Sequence, residues 1–562
     1  MCGWRNSPPL PWRRGAITPQ VCGTIELFAA RGEGTPPPRS AALHLLRRAS
    51  LGVALLLALS ACGKRESTPA AGNPTRSILH LSQRNEPASL DPATTTLPDE
   101  FGLLRALLEG LLLPGPNGSA PLPGAAARFE VSPDGLTYTF HLRPDARWSD
   151  GAPVTAAHFV AAGQRILTPA TAAPKASVYF PVRNARAFAT GRLTDFATVG
   201  LRAADDRTLV ITLDQPNPRF PYTVASGPWL PVRTDIVARH GRNWTRPGNF
   251  VGNGPFLLAE WRADQRVVVR RNPHWHGAAG VRLDEIHFVR FDSGDSEDRA
   301  YRAGQIDATM AVPLSKVPVY AQERPAELQR APMIETRYLA FNLQRPALNP
   351  AARTALALAI DRQKIVDRVL HGGQVAAFRF LPPQLRPADS PPHSAAQFQP
   401  ETARRLLAEA GFPGGRGFPK LELTGWTNSQ VLEAVQQMWR TELGIEIAIA
   451  IREAKVHLDA LRTGAFDIAF ATSIPDVADP VAMLADFTGD AALNYPRWSD
   501  PAFDRALTAG QIAGAESLLL SATPVTPLYF NTKIFLLQPR VRGWHEDGLW
   551  ARTYEGISLA HP

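Results

Sequence analysis

The length, composition and charge of the chain exclude several classes of protein. Its 562 residues are more than one small core can order, so we expect two or three domains. Hydrophobic residues make up 44% and charged residues 20% of the chain, which is typical of a folded globular protein and not of a disordered one. The net charge is +9, but residues 1–61 hold seven Arg and two Glu, which leaves +4 for the rest of the chain. Such a weak, dispersed charge does not favour nucleic-acid binding.

An apolar run near the N-terminus has the pattern of a secretory signal. Two arginines precede the run 49–59, which is shorter than the roughly 20 apolar residues of a membrane span. The run ends in the sequence LSAC, which resembles a bacterial lipobox and makes Cys62 the predicted site of lipidation. A lipid on Cys62 is expected to hold the protein at a membrane surface. The alternative is a plain signal peptide that happens to end before a cysteine.

The segments around this signal are predicted to lie outside the folded part. A signal peptide should open a chain, yet residues 1–40, rich in Pro and Arg, precede it. We expect them to be a mis-assigned or disordered extension, with the signal peptide at 41–61. Residues 62–75 are polar and small, which predicts a flexible tether. The three cysteines are Cys2, Cys22 and Cys62, so a mature chain starting at Cys62 has no disulfide framework and no cysteine metal site.

The first half of the folded region alternates strand and helix patterns. Apolar and polar residues alternate through 136–143, which predicts a half-buried antiparallel strand. Similar patterns predict strands at 77–82 and 207–213. An apolar stretch predicts a helix at 100–113, and Thr155 is the expected N-cap of a helix that ends near residue 167.

The second half has the same alternation. Pro400 is expected at the first position of a helix that Gly411 terminates. A helix is predicted at 430–443, and strands are predicted at 421–425 and 445–451. Helices that alternate with strands favour an α/β protein with a mixed sheet.

Eight regions of the chain, in order, resemble the bacterial extracellular solute-binding family that serves peptide and nickel ABC importers. They are NEPASLDPA (85–93), DGLTYTFHLRPDARWSDGAPVTAAHFV (134–160), VGNGPFLLAEWRADQRVVVRRNPHWHG (251–277), LDEIHFVRF with YRAGQIDA (283–308), LAFNLQRPALNPAARTALALAIDRQKIV (339–366), PETARRLLAEAGFPGG (400–415), FDIAFATSIPDVADP (466–480) and TPVTPLYFNTKIFLLQPRVRGW (523–544). No single region is decisive, but their order over most of the chain is specific.

The resemblance implies an α/β fold of the two-lobed periplasmic-binding-protein type (type II, Venus flytrap), with mixed β-sheets and an additional inserted domain. We expect lobe I to comprise 76–98, 215–338 and 531–562. The inserted domain is then 99–214, and lobe II is 339–530.

The resemblance also implies an anchor for a ligand amine. In peptide-binding relatives, the Asp ten residues after the Phe of the F-D-x-A element meets the ligand's α-ammonium, and counting from Phe466 gives Asp476. We expect Asp479 to have a turn role instead. Relatives often carry Trp three residues before the anchor, where this chain has Ser473, and Phe470 lies where a basic residue can occur. The mode of carboxylate recognition therefore stays open.

Four further residues are candidates for the ligand site. Trp426 follows the predicted strand 421–425, where it is either a pocket wall or a core residue. Glu86, Ala88 and Ser89 lie where relatives lend backbone groups to an extended ligand, a mode in which main-chain hydrogen bonds supply affinity.

The sequence carries no recognisable catalytic constellation. G-x-S-x-G, H-E-x-x-H and Walker motifs are missing from it, so we expect no enzyme activity and no cofactor. His274 and His276 make at most an incomplete pair of metal ligands, so no metal site is predicted.

The predicted function is that of a lipid-tethered, periplasmic substrate-binding protein of an ABC importer. It is expected to act as a monomer that captures a peptide-like ligand between its lobes and delivers it to the membrane permease. Two alternatives remain open. The same fold could bind a nickel chelate, haem, an opine or an oligosaccharide, or the protein could be a surface lipoprotein with no part in transport.

Overall fold

The structure, a computed structural model, describes the chain from residue 76 to residue 560, with gaps at 388–396, 428, 490 and 551. The predicted extension, signal peptide, lipidation site at Cys62 and tether lie outside the described residues, and they stay predictions.

The described residues form strands and helices that alternate along most of the chain. The strands are β1 (Ile78–Gln83), β2 (Leu112–Leu113), β3 (Leu122–Pro123), β4 (Ala126–Val131), β5 (Thr137–Leu142), β6 (Leu201–Asp205), β7 (Thr208–Thr212), β8 (Phe256–Arg262), β9 (Arg266–Arg271), β10 (Glu285–Arg290), β11 (Leu328–Phe341), β12 (Val375–Ala376), β13 (Leu421–Gly425), β14 (Ile447–Ile451), β15 (Ile468–Ser473), β16 (Val525–Leu536), β17 (Val541–Arg542) and β18 (Ser558–Leu559). The α-helices are α1 (Pro98–Leu107), α2 (Ala156–Leu167), α3 (Ala185–Ala189), α4 (Phe220–Val224), α5 (Thr234–His240), α6 (Gly294–Arg302), α7 (Val317–Glu323), α8 (Pro350–Leu358), α9 (Arg362–Ile365), α10 (Pro400–Glu409), α11 (Ser429–Leu443), α12 (Ala454–Thr463), α13 (Pro480–Leu484), α14 (Pro501–Thr508) and α15 (Ile512–Ala522).

Two four-stranded sheets lie in the first part of the fold. One has the order β1-β10-β9-β8, with β1 parallel to β10 and the other pairs antiparallel. The other has the order β4-β5-β7-β6 and is antiparallel throughout. The predicted alternation in β5 is confirmed, because Tyr138, Phe140 and Leu142 are buried. The two sheets share one hydrophobic core, in which Leu81 and Ile286 of the first sheet are joined with Phe140 of the second.

A six-stranded mixed sheet carries the second part of the fold. Its order is β12-β16-β11-β15-β13-β14, and β13 pairs in parallel with both β14 and β15. Successive residues of β11 enter different cores, as the two-residue period of a strand requires. Leu339 and Phe341 belong to one cluster, whereas Tyr338 and Ala340 belong to the other. The sheet is therefore covered on both faces, which fits a buried α/β sheet.

The register of β11 against β16 breaks between Pro332 and Thr336. Inside this break, the Ile334 amide donates to the Gly548 carbonyl at 2.8 Å, so the C-terminal segment pairs with the bulged strand. Bulges are common beside functional sites because they redirect side chains. Here the bulge places Glu335 next to the C-terminal segment.

Most of the predicted elements are confirmed, but the helix predicted at 100–113 is wrong in its second half. Helix α1 ends at Leu107, whose carbonyl accepts from the Gly254 amide at 3.0 Å. The Gly110 carbonyl accepts from the Ala125 amide at 2.9 Å, so this backbone pairs with a neighbouring strand and does not continue the helix. The apolar composition that predicted a helix reflects burial, which a short strand in a core also requires.

Candidate functional site

The loop after β15 holds two acids in different environments. The Asp479 side chain is buried and its Oδ1 accepts from the Val481 amide at 2.8 Å, which caps α13 as the predicted turn role requires. Burial raises the pKa of Asp479, although Arg219 Nε lies 3.7 Å away. The Asp476 side chain, by contrast, is 41% exposed. Of the two acids, Asp476 is therefore the one whose side chain is accessible.

Asp476 lines a cavity that we call the Asp476 cavity. The space between its walls is about 340 Å³, a figure that includes open solvent. Its walls come from four parts of the chain, at 105–121, 222–226, 476–478 and 547–549. Residues far apart in sequence thus converge on one concave site.

The partner of Asp476 in this cavity region is a lysine. The Nζ atom of Lys175, which precedes a short 3-10 helix in the 99–214 segment, is hydrogen-bonded and ion-paired to Asp476 Oδ1. Arg219 contacts the same loop from another part of the chain, because its guanidinium donates to the Ala478 carbonyl. The guanidinium carbon also lies 4.2 Å from the Tyr222 ring centroid. Two basic residues outside the six-stranded sheet therefore hold the loop that carries Asp476.

Ser473 contacts a second carboxyl group near Asp476. Its buried Oγ donates to Asp486 Oδ2 at 3.1 Å. Burial raises the pKa of Asp486 to about 7, and the negative charge of Asp476 adds to the rise. The small side chain at 473 thus contacts an acid that titrates near neutral pH.

Trp426 is half-buried and belongs to an aromatic cluster. Its ring centroid lies 5.1 Å from that of His457 and 5.5 Å from that of Phe470. The guanidinium of Arg337 lies 5.3 Å from the Trp426 centroid and 5.9 Å from that of Phe470. Trp426 therefore packs against core residues and also makes a cation–π contact with Arg337. The sequence reasoning missed Arg337, although an Arg beside the apolar end of β11 was a usable signal.

A buried glutamate connects this cluster to the C-terminal segment. Glu335 is completely buried and accepts from Thr472 Oγ1 at 2.9 Å, Asn531 Nδ2 at 2.9 Å and Trp550 Nε1 at 3.0 Å. Its Oε1 also lies 2.5 Å from Arg337 Nε. Strands β11, β15 and β16 and the C-terminal segment therefore meet at one carboxylate. Sequence reasoning also missed Glu335, because each of its partners comes from a different part of the chain.

Glu86, Ala88 and Ser89 lie in the segment after β1. The Glu86 carboxylate accepts from Trp261 Nε1 at 2.8 Å, which ties the segment to β8. The Ala88 amide donates to Glu100 Oε1 at 3.0 Å, and Ser89 Oγ accepts from a neighbouring amide at 3.1 Å. These bonds lead to β8 and α1 and not to the Asp476 loop, so a role of this segment in ligand binding stays a prediction.

Of the two histidines at 274 and 276, His276 contacts the carboxylate of Glu109. His276 Nε2 lies 3.0 Å from both carboxylate oxygens of Glu109, and Trp275 Nε1 donates to Glu109 at 3.2 Å. Burial raises the pKa of Glu109. Across the described ranges, no cluster of three or more His, Cys, Asp or Glu side chains has the arrangement of a metal site. The same ranges contain no helix that is long and apolar enough to span a membrane.

The α/β fold with mixed sheets is that of the periplasmic-binding-protein class, because two solved structures of the periplasmic murein tripeptide-binding protein MppA superpose on this chain with TM-scores of 0.71 and 0.76, each at 30% identity. The chain belongs to the bacterial extracellular solute-binding proteins, family 5, because the model of that family (its middle region) matches residues 120–495. Members of this family are solute-binding proteins of transporters and not enzymes.

Comparisons with individual proteins agree with this assignment. The periplasmic murein peptide-binding protein MppA of Escherichia coli is 32% identical over 85% of this chain and 92% of its own. The probable deoxycholate-binding periplasmic protein YgiS of the same organism is 30% identical over 83% of this chain and 90% of its own. The crystal structure of Haemophilus influenzae OppA in complex with the peptide RPPGFSPFR superposes with a TM-score of 0.73 and 29% identity, over 86% of this chain and 99% of that one.

Proposed function

We propose that this protein is the substrate-binding component of an ABC importer and that it captures a peptide-like ligand in the Asp476 cavity. The observation that carries the proposal is the Asp476 carboxylate, which lines a cavity and is already paired with an ammonium group, that of Lys175. A peptide's α-ammonium has the same charge and the same three donors as the lysine side chain. The names of the relatives MppA and OppA support a peptide as the ligand.

The energetic argument rests on a charge-assisted hydrogen bond. Such a bond contributes about 1.5–3 kcal/mol, because one partner carries a full charge. Closure of the lobes around a ligand would remove water and strengthen the interaction between Asp476 and the ammonium. Because Asp476 is partly exposed, a ligand has access to it and can replace Lys175.

The cellular setting of the proposal follows from the signal-like segment. We propose that Cys62 carries a lipid that tethers a monomeric, periplasmic protein to a membrane, where it meets an ABC permease. Incorporation of a labelled fatty acid in cells, which the C62S variant should abolish, tests the anchor. Equal labelling of both forms would contradict it.

The proposed ligand class is tested by binding of alanine peptides. We expect trialanine or tetraalanine to raise the Tm of the purified protein and to bind in calorimetry. N-acetylation of the peptide and the substitution Asp476→Asn should each weaken binding by about 10-fold or more, because each removes one side of the ion pair. Asp292→Asn, at an 83% exposed side chain, is the matched control and should bind normally. If acetylation or Asp476→Asn leaves peptide affinity unchanged, Asp476 is not the anchor.

A second candidate is a cargo without an ammonium group. The observation that favours it is the Lys175–Asp476 pair itself, because the lysine already neutralises the charge of the acid. The relative YgiS is named for binding of deoxycholate, an anion. A deoxycholate or nickel-chelate, haem, opine or oligosaccharide ligand should bind Asp476→Asn as well as it binds the wild type. If neither the alanine peptides nor any of these non-peptide ligands binds, a surface protein without transport function is favoured.

A further inference from the structure

Strand β14 forms one edge of the six-stranded sheet and lacks the usual protection against further pairing. It pairs with β13 on one side, and no strand of the described residues pairs with its other side. Its five residues are Ile and Ala in alternation, with no Pro, charge or bulge that would prevent the addition of a strand. The opposite edge strand, β12, has only two residues. Since folded proteins generally shield long apolar edges, the edge of β14 calls for an occupant.

The outward backbone groups of this edge belong to alternate residues. The Arg452 amide donates to the Gly425 carbonyl at the end of β13 at 2.8 Å, so the even-numbered residues direct their backbone groups towards β13. The odd-numbered residues of β14 therefore direct their amides and carbonyls outwards, because this direction alternates along a strand. The Gln436 side chain donates to one of these groups, the Ile447 carbonyl, at 2.6 Å. A carbonyl has two lone pairs, so this bond leaves a place for another donor.

The sequence of the edge is complementary to itself in the antiparallel direction. Residues 446–452 read EIAIAIR, so a second copy centred on Ile449 places Ile449 opposite its equivalent and Ile447 opposite Ile451. These are the residues with outward backbone groups, so each pair can exchange both hydrogen bonds of an antiparallel ladder. A register shifted by one residue would place inward groups opposite outward groups and would lose these bonds.

The same register brings opposite charges together at both ends of the strand pair. It places Glu446 opposite Arg452 of the second copy, and oppositely charged cross-strand neighbours are favourable. The Glu446 side chain is 69% exposed, and its partner Arg440 is also exposed. The Arg452 side chain is hydrogen-bonded to Glu422 and can lie between two carboxylates. Ile451 is 48% exposed, so a second copy also removes apolar surface from water.

We propose that two copies of this protein associate through β14, antiparallel and centred on Ile449, so that their sheets become continuous. The inference goes beyond the proposed function and does not depend on the ligand. A pair of seven-residue strands buries less than the roughly 1,200 Å² of a stable complex, so we expect a Kd of about 0.1–1 mM. In dilute solution the protein is then the monomer of the proposed function. Strands β13 and β15 lie between this edge and β11, so the pairing does not involve the Asp476 loop.

Two charge reversals test the pairing. In a homodimer, Glu446→Lys places two cations opposite each other, and Arg452→Glu places two anions opposite each other. A mixture of the two variants restores opposite charges at both ends, because the first variant keeps Arg452 and the second keeps Glu446. In sedimentation equilibrium up to about 1 mM chain, each variant alone should associate about 5-fold or more weakly than the wild type, and the mixture about as strongly as the wild type.

A pair of cysteine variants tests the register without a change of charge, and it avoids the loss of the bond between Arg452 and Glu422. In the proposed register, Ala448 lies opposite Ala450 of the second copy, in the closer, non-hydrogen-bonded type of pair. Each variant is made in a chain whose native cysteines are replaced by Ser. Ala448→Cys and Ala450→Cys should form a disulfide with each other about 5-fold or more faster than either forms one with itself. Ala279→Cys, at an exposed position outside the strands, is the control and should react slowly with both.

A further control and the contrary results complete the test. Glu401→Lys reverses the charge of an 87% exposed side chain on another helix and should associate as the wild type does. The proposal is wrong if the wild type stays monomeric at about 1 mM, well above the weakest pairing expected for so small an interface, or if the mixture associates no better than its components. Equal cross-linking rates for all cysteine combinations would contradict the register. Glu446→Lys should bind alanine peptides as the wild type does, so a failure of pairing leaves the proposed function standing.

Discussion

The ammonium group of Lys175 is ion-paired with the carboxylate of Asp476, 301 positions further along the chain. Lys175 belongs to the segment 99–214 and Asp476 to the loop that follows β15 of the six-stranded sheet. The pair therefore joins two parts of the fold that line the Asp476 cavity. It places an internal ammonium group where we propose that a ligand ammonium binds.

Removal of this internal competitor should strengthen peptide binding. Because both side chains are partly exposed, the ion pair contributes about 0.5–1 kcal/mol. Lys175→Met should therefore lower the Kd of trialanine or tetraalanine about two- to five-fold, measured by calorimetry. Lys455→Met, at an exposed position, is the matched control and should leave the Kd unchanged. Weaker binding by Lys175→Met would show that the lysine helps to hold the ligand and does not compete with it.

Arg219 should control the order of the loop that carries Asp476. Its guanidinium donates to the Ala478 carbonyl and lies near the buried Asp479 carboxylate. Arg219→Gln leaves Asp479 with less compensation for its burial, so we expect a loss of about 1–2 kcal/mol in stability. Hydrogen exchange should become faster at 474–480. The exposed Arg239→Gln serves as the reference, and equal exchange in the two variants would contradict the assigned role.

Asp486 should make the stability of the protein fall as the pH rises. Burial raises its pKa to about 7, so the folded protein binds this proton more tightly than the unfolded chain does. Between about pH 4 and pH 7 the folded state therefore holds more protons, and the free energy of unfolding decreases with pH. Asp486→Asn should remove this contribution, so that its Tm exceeds that of the wild type at pH 8 and the advantage shrinks towards pH 4.

Two comparisons check that the effect belongs to Asp486. The exposed Asp292→Asn should follow the wild-type dependence on pH. Ser473→Ala removes the hydrogen bond that lowers the pKa of Asp486, so the fall in stability should extend to higher pH. A parallel pH dependence in the wild type and Asp486→Asn would assign the titration to another group.

Glu546 should contribute strongly to stability because it neutralises two buried cations. Its Oε1 accepts from Lys533 Nζ and from Arg552 Nη2, each at 2.9 Å. Burial lowers the pKa of Lys533 to about 8. Glu546→Gln removes the carboxylate that is hydrogen-bonded to both cations, so we expect the free energy of unfolding, measured by urea denaturation, to fall by about 3–5 kcal/mol.

A second substitution in the same cluster should restore part of the lost stability. Lys533→Met together with Glu546→Gln should recover part of the stability, because one of the unpaired cations is then removed. Glu409→Gln breaks an exposed pair with Arg405 and should change stability by less than about 0.5 kcal/mol. If Glu546→Gln costs no more than Glu409→Gln, the buried cluster is not a stabilising unit.

Much of the local structure was predictable from short sequence patterns. Thr155 begins α2, Gly411 follows the end of the helix that starts at Pro400, and the apolar residues of β5 are buried as predicted. These features depend on neighbours within a few residues, such as a capping side chain or alternation along a strand. The helix predicted at 100–113 was wrong in its second half because residues 110–113 pair with residues 122–126, and the local pattern does not reveal this pairing.

The sequence by itself determined the α/β class, the family resemblance, and the separation of Asp476 from Asp479. Capping of α13 by Asp479 follows from its place before Pro480. The tertiary structure alone decided which groups meet Asp476, Asp486 and Arg337. Electrostatic contacts depend on distance in space, and Lys175 reaches Asp476 only after segments hundreds of residues apart have packed together.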